Sequence, residues 1–542
     1  MKDERINPLQ NNIRAARTIV DTVKSTLGPM GRDKMMVDAG GDTIITNDGA
    51  TILRELDVSH PGAKMMVDIA KTQEALCYDG TTSTVILAGQ LLADSEHLFI
   101  KGLHPNLVCK GYNQAANMAI DYLDNQLSFK AGEKEILQIA KTSVTGKTLE
   151  AAIDQVSQLC VEAVNVAGSA DKVKVVGLAG GALSDSYFFN GVVVNKDFVY
   201  EVEEENLSNV ILLNTGLEPM KREENVTVQV DMKGYNAFKK SDTDDLLLQA
   251  KRIGNMLPNG GVVFIRDGVT DDVAAYLAKQ NIAILRRVPE SSMKSLGLAL
   301  GSRIAQTPDD IENVVSGFIE RKIFNEINYL FVKGKAKSNQ STLILRGATS
   351  STLDEVARGF DDALGVVSLV LNGGKIVTGG GSTYASLANY LRMKANTVEG
   401  RAQMAINAFA DSLEILPATI AENAGHDPLD VILDMRHAIS DGDYHMGVNV
   451  EEGGIIDMLE GGVVEPCDLV RQAILSATEV TTRIMKKLSE RLKVSCRKCN
   501  HKHIPIRISG RFHDEKRTRV YIWKCRECGH LWEDSVFTKA IK

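Results

Sequence analysis

A short segment rich in glycine and threonine, residues 79–83, has the composition of a phosphate-binding turn. It reads Asp-Gly-Thr-Thr-Ser and comes directly before an apolar stretch that predicts a helix. Gly80 lets the backbone approach a ligand, and the free amides of a helix start suit an anion. Asp79 is a hard oxygen ligand of the kind that Mg²⁺ takes beside phosphates. The same residue types also make ordinary helix N-caps, so this segment alone does not establish a nucleotide site.

Two further glycine loops strengthen the nucleotide interpretation, because phosphates need close approach of a backbone. Residues 27–31 read Leu-Gly-Pro-Met-Gly, and residues 379–381 are three consecutive glycines. The common phosphate-loop motif is absent: residues 146–148, Gly-Lys-Thr, look like its end, but Lys141 stands where the motif requires a glycine. The 146–148 segment is therefore interpreted as a helix start, and any nucleotide must bind in a different cradle.

Two Cys-x-x-Cys pairs near the end of the chain indicate a structural zinc site. Twenty-five residues separate the pairs, and strand-like stretches at 504–508 and 519–523 lie between them. Four thiolates at this spacing can bind zinc tetrahedrally, with a redox pair or disulfides as the alternative. The proposed zinc ligands are Cys496, Cys499, Cys525 and Cys528.

The charge of the chain is unevenly distributed along its 542 residues. The net charge is −8, yet residues 496–542 carry 12 basic and 5 acidic side chains, which leaves −15 on the first 495 residues. The whole chain therefore gives no reason to expect nucleic-acid binding. The basic tail, with Tyr521 and Trp523, could bind nucleic acid, could hold acidic or unfolded protein chains, or could simply be a solvated surface.

The hydrophobic pattern predicts helices toward both ends of the chain and an α/β region in the middle. Two short strands are expected at 34–38 and 43–46, and a polar helical stretch at 236–255. Strands alternate with helices in the central region, which suggests one domain inserted into another. The central strands are predicted at 191–194, 210–213, 226–230, 262–265 and 282–285, with a helix at 271–279. No apolar run has the length of a signal peptide or a membrane span, so a cytoplasmic location is expected.

The order of the motifs resembles that of the group II chaperonins, the family of the archaeal thermosomes and the eukaryotic cytosolic chaperonin. The resemblance covers about residues 8–492. The matching segments are 27–29, 47–53, 79–82, 344–347, 362–364, 379–381, 415–425, 456–458 and 465–466.

The resemblance implies a multi-domain α and α/β chaperonin fold followed by a small zinc ribbon. A helical equatorial domain would come from both chain ends, an intermediate domain would act as a hinge, and an α/β apical domain would carry a helical lid near 236–255. The implied boundaries are 1–142 and 377–494 (equatorial), 143–208 and 346–376 (intermediate), 209–345 (apical) and 495–542 (zinc ribbon).

The resemblance also implies roles for individual residues. Asp79 would hold Mg²⁺, Asp48 and Asp362 would position and activate the attacking water, and these three aspartates would form the catalytic set. Because Asp362 falls in the hinge region, domain closure would complete the site. The residues that would contact ATP are Leu27, Gly28, Pro29, Asp79, Gly80, Thr81, Thr82, Ser83, Gly380, Gly381 and, at the ribose, Glu465.

The implied function is an ATP-dependent molecular chaperone, an ATPase whose rings enclose and fold non-native proteins. The subunits would form homo- or hetero-oligomeric double rings, with ATP and Mg²⁺ in each subunit and zinc in the tail. The alternative is a ring with slow or absent ATP turnover that acts as a scaffold, or carries specific clients or nucleic acid through the ribbon. The slow-turnover alternative is motivated by Tyr78 and Tyr384, where the family usually has glycine and glutamate. The family also usually has lysine at Met30 and histidine at Asp361.

Overall fold

The structure is a computed structural model that describes most of the chain. The described residues are 8–37, 41, 43–203, 207–219, 232–312, 314–335, 340–492, 494–495, 502–503, 506–513, 518–524 and 531–537, with the backbone alone at 8–11, 148, 232–243, 350–352 and after residue 486.

The chain divides into two compact units. Residues 130–374 form one unit, and residues 1–129 together with 375–542 form the other. The middle of the chain is thus inserted into a unit built from both ends, as the helical ends and α/β centre of the sequence pattern suggested. The finer boundaries expected at 142, 208, 345 and 376 remain a prediction.

Most of the α-helices in the described residues belong to the unit formed by the chain ends, and the others belong to the inserted unit. Within the described residues the α-helices are α1 (Pro8–Val23), α2 (Gly49–Glu55), α3 (Pro61–Cys77), α4 (Thr81–Ile100), α5 (Pro105–Tyr122), α6 (Glu133–Val144), α7 (Ile153–Ala167), α8 (Met232–Met256), α9 (Asp271–Ala278), α10 (Glu290–Leu300), α11 (Ser350–Leu371), α12 (Ser382–Ala395), α13 (Ala402–Leu413), α14 (Ile415–Asn423), α15 (Pro428–Asp441) and α16 (Cys467–Leu492).

The strands of the described residues belong mainly to the inserted unit and to the tail. They are β1 (Lys34–Val37), β2 (Thr43–Thr46), β3 (Phe129–Lys130), β4 (Val173–Ala179), β5 (Tyr187–Phe189), β6 (Val192–Val194), β7 (Asn209–Leu213), β8 (Gly261–Ile265), β9 (Ile282–Leu285), β10 (Val315–Phe324), β11 (Ile327–Gly334), β12 (Ser341–Gly347), β13 (Lys375–Thr378), β14 (Met446–Val448), β15 (Ile455–Asp457), β16 (Val464–Pro466), β17 (Val494–Ser495), β18 (Lys502–His503), β19 (Ile506–His513), β20 (Thr518–Lys524) and β21 (Leu531–Phe537).

Helix α4 forms the centre of the unit built from the chain ends. It is apolar around most of its circumference, as a helix enclosed by other helices must be, and twelve of its twenty residues are buried. It packs against α1, α3, α13 and α16. Because α16 comes from the far end of the sequence, this core forms only when both chain ends come together. None of the helices in the described part of the chain is long and apolar enough to cross a membrane.

Two sheets organise the inserted unit. The larger sheet has the order β6-β11-β10-β7-β8-β9, in which β7, β8 and β9 are parallel and the others antiparallel. The smaller sheet has the order β4-β12-β5. Every residue of β8 and β9 is buried, as expected for parallel strands covered on both faces. The predicted strands at 210–213, 262–265 and 282–285 are confirmed, and the one at 226–230 lies outside the described residues.

The polar segment predicted to be helical at 236–255 is part of α8. Its use as a lid remains a prediction. The sequence did not reveal the long antiparallel hairpin of β10 and β11, which turns through two residues of positive φ, Asn325 and Glu326.

The tail contains a three-stranded antiparallel sheet, β19-β20-β21. The strands predicted at 504–508 and 519–523 correspond to β19 and β20, and β21 was not predicted. The four cysteines proposed to bind zinc lie outside the described residues, so the zinc site remains a prediction.

One buried carboxylate joins three helices of the unit formed by the chain ends. Glu414, which is 6% exposed, precedes α14 and accepts hydrogen bonds from Arg392 of α12 (2.7 and 2.6 Å) and from Arg436 of α15 (2.8 Å from Nε). Burial by itself would raise the pKa of Glu414, but the hydrogen bonds from Arg436 and Arg392 lower it overall. The charged form is therefore the one that the fold stabilises.

Replacing this carboxylate should destabilise the protein. We expect Glu414→Ala to lower the free energy of unfolding by about 3 kcal/mol, because Arg436 loses its carboxylate partner and Arg392 keeps only Asp411. Denaturant titration at neutral pH measures the change. Lys294→Ala, which breaks an exposed ion pair with Glu290, is the control and should change the midpoint little. Equal effects of the two substitutions would contradict a structural role for Glu414.

Candidate nucleotide-binding site

The segment of residues 79–83 forms the tight turn between α3 and α4. Tyr78 ends α3 in the left-handed conformation (φ 63°), and Gly80 precedes α4 with φ 77°. A Cβ at Gly80 would lie 2.8 Å from a methyl carbon of Leu469, so a larger residue would have to displace that side chain of α16 as well as adopt a positive φ. The Asp79 carboxylate accepts a hydrogen bond from the Gly80 amide at 2.7 Å. Helix α4 starts without a side-chain cap, which leaves Thr81, Thr82 and Ser83 at an anion-favouring helix end.

The Asp48 turn packs directly on this helix start. Asp48 is the N-cap of α2, and its two carboxylate oxygens accept hydrogen bonds from the amides of Ala50 (3.2 Å) and Thr51 (2.8 Å). A Cβ at Gly49 would lie 2.2 Å from the Thr82 hydroxyl oxygen, so the Gly49 backbone lies directly against the Thr82 side chain. The structure therefore brings Asp48 together with the Thr82 segment, while the Asp48 carboxylate caps its own helix.

The Leu27-Gly28-Pro29 loop is held by α14. The Asn423 side-chain amide donates hydrogen bonds to the carbonyl oxygens of Leu27 (2.8 Å) and Lys24 (3.0 Å). Gly28 has φ 86°, and a Cβ there would contact the Ile420 side chain at 3.5 Å. The positive φ, rather than lack of space, is what favours glycine at residue 28.

The triple glycine forms the turn from β13 into α12. Gly381 has φ 81°, and a Cβ there would lie 2.6 Å from Pro417 of α14. Gly380 has φ 60°, and a Cβ there would lie equally close to the Met458 sulfur. Helix α12 also begins without a side-chain cap. A single short helix, α14, thus contacts both the Gly28 loop and the Gly381 loop.

Glu465 lies on the strand beside the triple glycine. In the β13–β16 pair it stands opposite Val377, two residues before Gly379. Burial, and to a lesser extent the negative charge of Asp79, raises the pKa of Glu465 from 4.5 to about 8. The neighbouring Tyr384 is 4% exposed and its hydroxyl has no hydrogen-bond partner among the described residues. Burial and then the charge of Glu465 raise the pKa of Tyr384 well above 10.

The residues present fit a magnesium-bound nucleoside triphosphate. Three loops leave glycine backbone partly exposed, at Gly28, Gly80 and Gly380. Two long helices begin without side-chain caps at such loops, and Asp79 supplies a carboxylate oxygen. Among the described residues, seven buried side chains have a polar atom without a hydrogen-bond partner, and four of them belong to this region. These four are Ser25, Thr51, Gln73 and Tyr384.

The third predicted catalytic aspartate, Asp362, belongs to the inserted unit. It lies on α11, and the Lys147 ammonium is 2.6 Å from its carboxylate. Both side chains are about one-fifth exposed (20% and 22%). Lys147 directly precedes a 3-10 turn, Thr148–Ala152, which agrees with the interpretation of 146–148 as a helix start.

Several supporting residues were not identified from the sequence. Asn423 and Pro417 lie within the matched segment 415–425, but nothing in the sequence gave them a role. Lys147 is 215 residues from Asp362, and no local signal connects the two. The sequence indicated close packing only where a glycine or proline lies next to a matched motif.

Comparison with known proteins relates this chain to one family. The model of the TCP-1/cpn60 chaperonin family matches residues 19–487. A thermosome subunit of Methanopyrus kandleri is 39% identical over 492 residues, which cover 88% of this chain and 90% of the relative. A thermosome subunit of Methanocaldococcus jannaschii is 39% identical over 493 residues with the same coverage. Thermosome subunit beta of Archaeoglobus fulgidus is 37% identical over 492 residues, again 88% and 90%.

The raised pKa of Glu465 predicts a pH-dependent stability difference. A carboxyl whose pKa is higher in the folded protein than in the unfolded chain costs stability progressively as the pH rises from about 4.5 to about 8. Glu465→Gln carries no such charge, so its stability relative to the native protein should increase over that interval. Thermal unfolding of both proteins across pH 4 to 9, about the range of stable folding, measures this stability difference. The exposed Glu451→Gln is the control, and a pH-independent difference for Glu465→Gln would contradict the prediction.

Proposed function

The chain belongs to the TCP-1/cpn60 chaperonin family, and from that premise we propose that it is a subunit of an ATP-driven chaperone ring that folds non-native proteins. The observation that carries the proposal is that α14 contacts the Gly28 and Gly381 loops and also packs against α4, the helix that begins at the Asp79–Gly80 turn. These loops offer backbone and helix N-termini where a polyphosphate would bind.

We propose that the glycine loops hold the phosphates of ATP and that Asp79 holds Mg²⁺. Leu27, Gly28 and Pro29 would lie on one side, with Gly80, Thr81, Thr82 and Ser83 on the other. Gly380 and Gly381 would line the nucleotide, and Glu465 would bind the ribose. When bound, Mg²⁺ neutralises phosphate charge, which is the main requirement of phosphoryl transfer.

The two remaining aspartates would orient and activate water. Asp48 already accepts two amide hydrogen bonds, but a carboxylate has about four lone-pair sites, so it can keep these bonds and accept one more from water. Asp362 would act as a base, with its carboxylate oriented by Lys147 at 2.6 Å. The family resemblance implies both roles, and this chain has a carboxylate at each of the two positions.

Ring assembly, lid closure and client binding form the rest of the proposal. The relatives are thermosome subunits, and we propose that this chain likewise assembles into homo- or hetero-oligomeric rings. Helix α8 would serve as the lid, and the exposed Leu248 on α8 (52%) is a side chain that could contact non-native protein or a neighbouring lid.

Tyr78 is the basis for the alternative of slow or absent turnover. Its φ of 63° explains why glycine suits this position, since a left-handed backbone costs other residues roughly 1–2 kcal/mol. This backbone strain precedes Asp79, and all three proposed catalytic aspartates are still present. We therefore favour a hydrolysing ring over a passive scaffold.

The central test is the ATPase activity of two variants. Asp79→Ala and Asp362→Ala should each lower steady-state phosphate release by about 100-fold or more, because each removes a charged group that acts on the phosphates or on water. The exposed Asp434→Ala is the control and should retain full activity. The native ring should also prevent aggregation of a refolding protein only when ATP is present.

Two outcomes would contradict this proposal in different ways. A ring whose ATP turnover survives both substitutions would reject the assigned site. A native ring that binds ATP without releasing phosphate would support the scaffold alternative.

We propose that the tail binds one structural zinc ion. Two observations support it: β17 and β18 are joined by six residues that contain Cys496 and Cys499, and β20 and β21 by six that contain Cys525 and Cys528. Each Cys-x-x-Cys pair thus lies in a short connection between antiparallel strands, where two thiolates can share a metal.

The zinc proposal predicts about one zinc ion per chain in the purified protein by elemental analysis. The double substitution Cys496→Ser and Cys499→Ser should abolish zinc binding, while ATP turnover persists. Cys160→Ala, which changes a buried thiol of the inserted unit, is the control and should retain zinc. Zinc-free native protein with these four thiols oxidised to disulfides would contradict the proposal.

A further inference from the structure

Gln73 is a fully buried polar side chain of α3 beside the Asp79 turn. None of its surface is exposed, and α3 packs against both α4 and α16. A carboxamide in such a core costs free energy unless it forms hydrogen bonds, so its partners show what it does there.

Both hydrogens of the Gln73 amide are used to join two segments that are distant in sequence. Nε2 donates to the carbonyl oxygen of Asp79 and to that of Leu469, each at 3.2 Å. The reversed amide would place Oε1 against two carbonyl oxygens that cannot donate, so the two acceptors determine the orientation. Oε1 itself has no hydrogen-bond partner among the described residues. The side chain therefore acts in this structure as a double donor.

The first of these bonds fixes one peptide plane. The carbonyl of Asp79 and the amide of Gly80 belong to the same planar trans unit and point in opposite directions. Gln73 holds the carbonyl, and the Gly80 amide donates to the Asp79 carboxylate at 2.7 Å. Because Tyr78 and Gly80 both have positive φ, this plane lies between the helical conformations of α3 and α4. Holding its oxygen therefore orients the Asp79 carboxylate.

The second bond anchors that plane to α16. Leu469 approaches Gly80 so closely that a Cβ there would lie 2.8 Å from its methyl carbon. Leu469 also follows Glu465 by four residues. One side chain thus connects the proposed magnesium ligand with the segment that carries the proposed ribose ligand.

We propose that Gln73 is a positioning residue for Asp79, holding the Asp79–Gly80 peptide so that the carboxylate is oriented for Mg²⁺. The inference rests on the proposed function, in which Asp79 binds the metal of a nucleotide complex. It requires that loss of the Gln73 amide weakens metal binding more than nucleotide binding, whereas general loosening of the core would weaken both.

The test uses the assembled full-length protein and the probe Mn²⁺. Electron paramagnetic resonance measures Mn²⁺ binding in the presence of a non-hydrolysable ATP analogue, and calorimetry measures analogue binding without metal. For Gln73→Met, which keeps the side-chain length but not the donors, we expect the Mn²⁺ dissociation constant to rise about tenfold. Metal-free analogue affinity should change less than roughly twofold.

Thr481→Val is the matched control for a buried link between helices. Thr481 is also fully buried, and its hydroxyl donates across the α16–α4 contact to the Ala88 carbonyl at 3.3 Å, away from the Asp79 turn. This variant should leave both affinities unchanged. Gln73→Asn keeps the amide but shortens the reach, and it replaces Gln73→Met if the latter does not assemble.

The possible results separate the inference from the proposed function. Unchanged Mn²⁺ affinity in an assembled Gln73 variant, or an equal loss in Thr481→Val, would overturn the role of Gln73. Native protein that fails to bind Mn²⁺ with the analogue would overturn the proposed function, and this inference with it.

Discussion

Close packing of glycine backbone against α14 is the constraint on which the candidate site depends. Pro417 lies 2.6 Å from the position that a Cβ of Gly381 would take, and the Asn423 side-chain amide donates to the Leu27 carbonyl oxygen at 2.8 Å. Gly28 rests on the same helix and keeps a positive φ. Because glycine has no Cβ, backbone amides can line a surface that side chains would otherwise fill. Two of the three loops are therefore backbone held by α14, while α16 packs against the Gly80 turn that carries Asp79, the main charged side chain of the site.

The second constraint is that both ends of the chain must fold together. The Asp79 turn is enclosed by α16, and Glu465 reaches it on a strand paired with β13. The Gln73–Leu469 hydrogen bond spans 396 residues of sequence. Bringing such distant segments together costs conformational entropy, so the proposed nucleotide site requires both ends of the chain to be folded together.

Local features of this chain could be predicted from its sequence, and long-range ones could not. Hydrophobic periodicity correctly indicated the strands at 262–265 and 282–285, and turn residues located the glycine loops. The family was also identified correctly from the order of its motifs. In contrast, Gln73, Asn423 and the Lys147–Asp362 pair act through partners far away in sequence, and single residues of common type carry no signal of such pairing. The left-handed conformation of Tyr78 was not predicted either, although the glycine that is usual at this position in the family is the residue that most easily adopts it.

The central claim is that the three glycine loops and Asp79 form the ATP site of a chaperone ring. Electron cryo-microscopy of the native particle with Mg²⁺ and a non-hydrolysable ATP analogue tests it most directly. The claim predicts a closed ring of subunits with phosphate density between the Gly28, Gly80 and Gly381 loops and a metal at Asp79. A ring with the analogue bound elsewhere, or with these loops empty at saturating analogue, would contradict it.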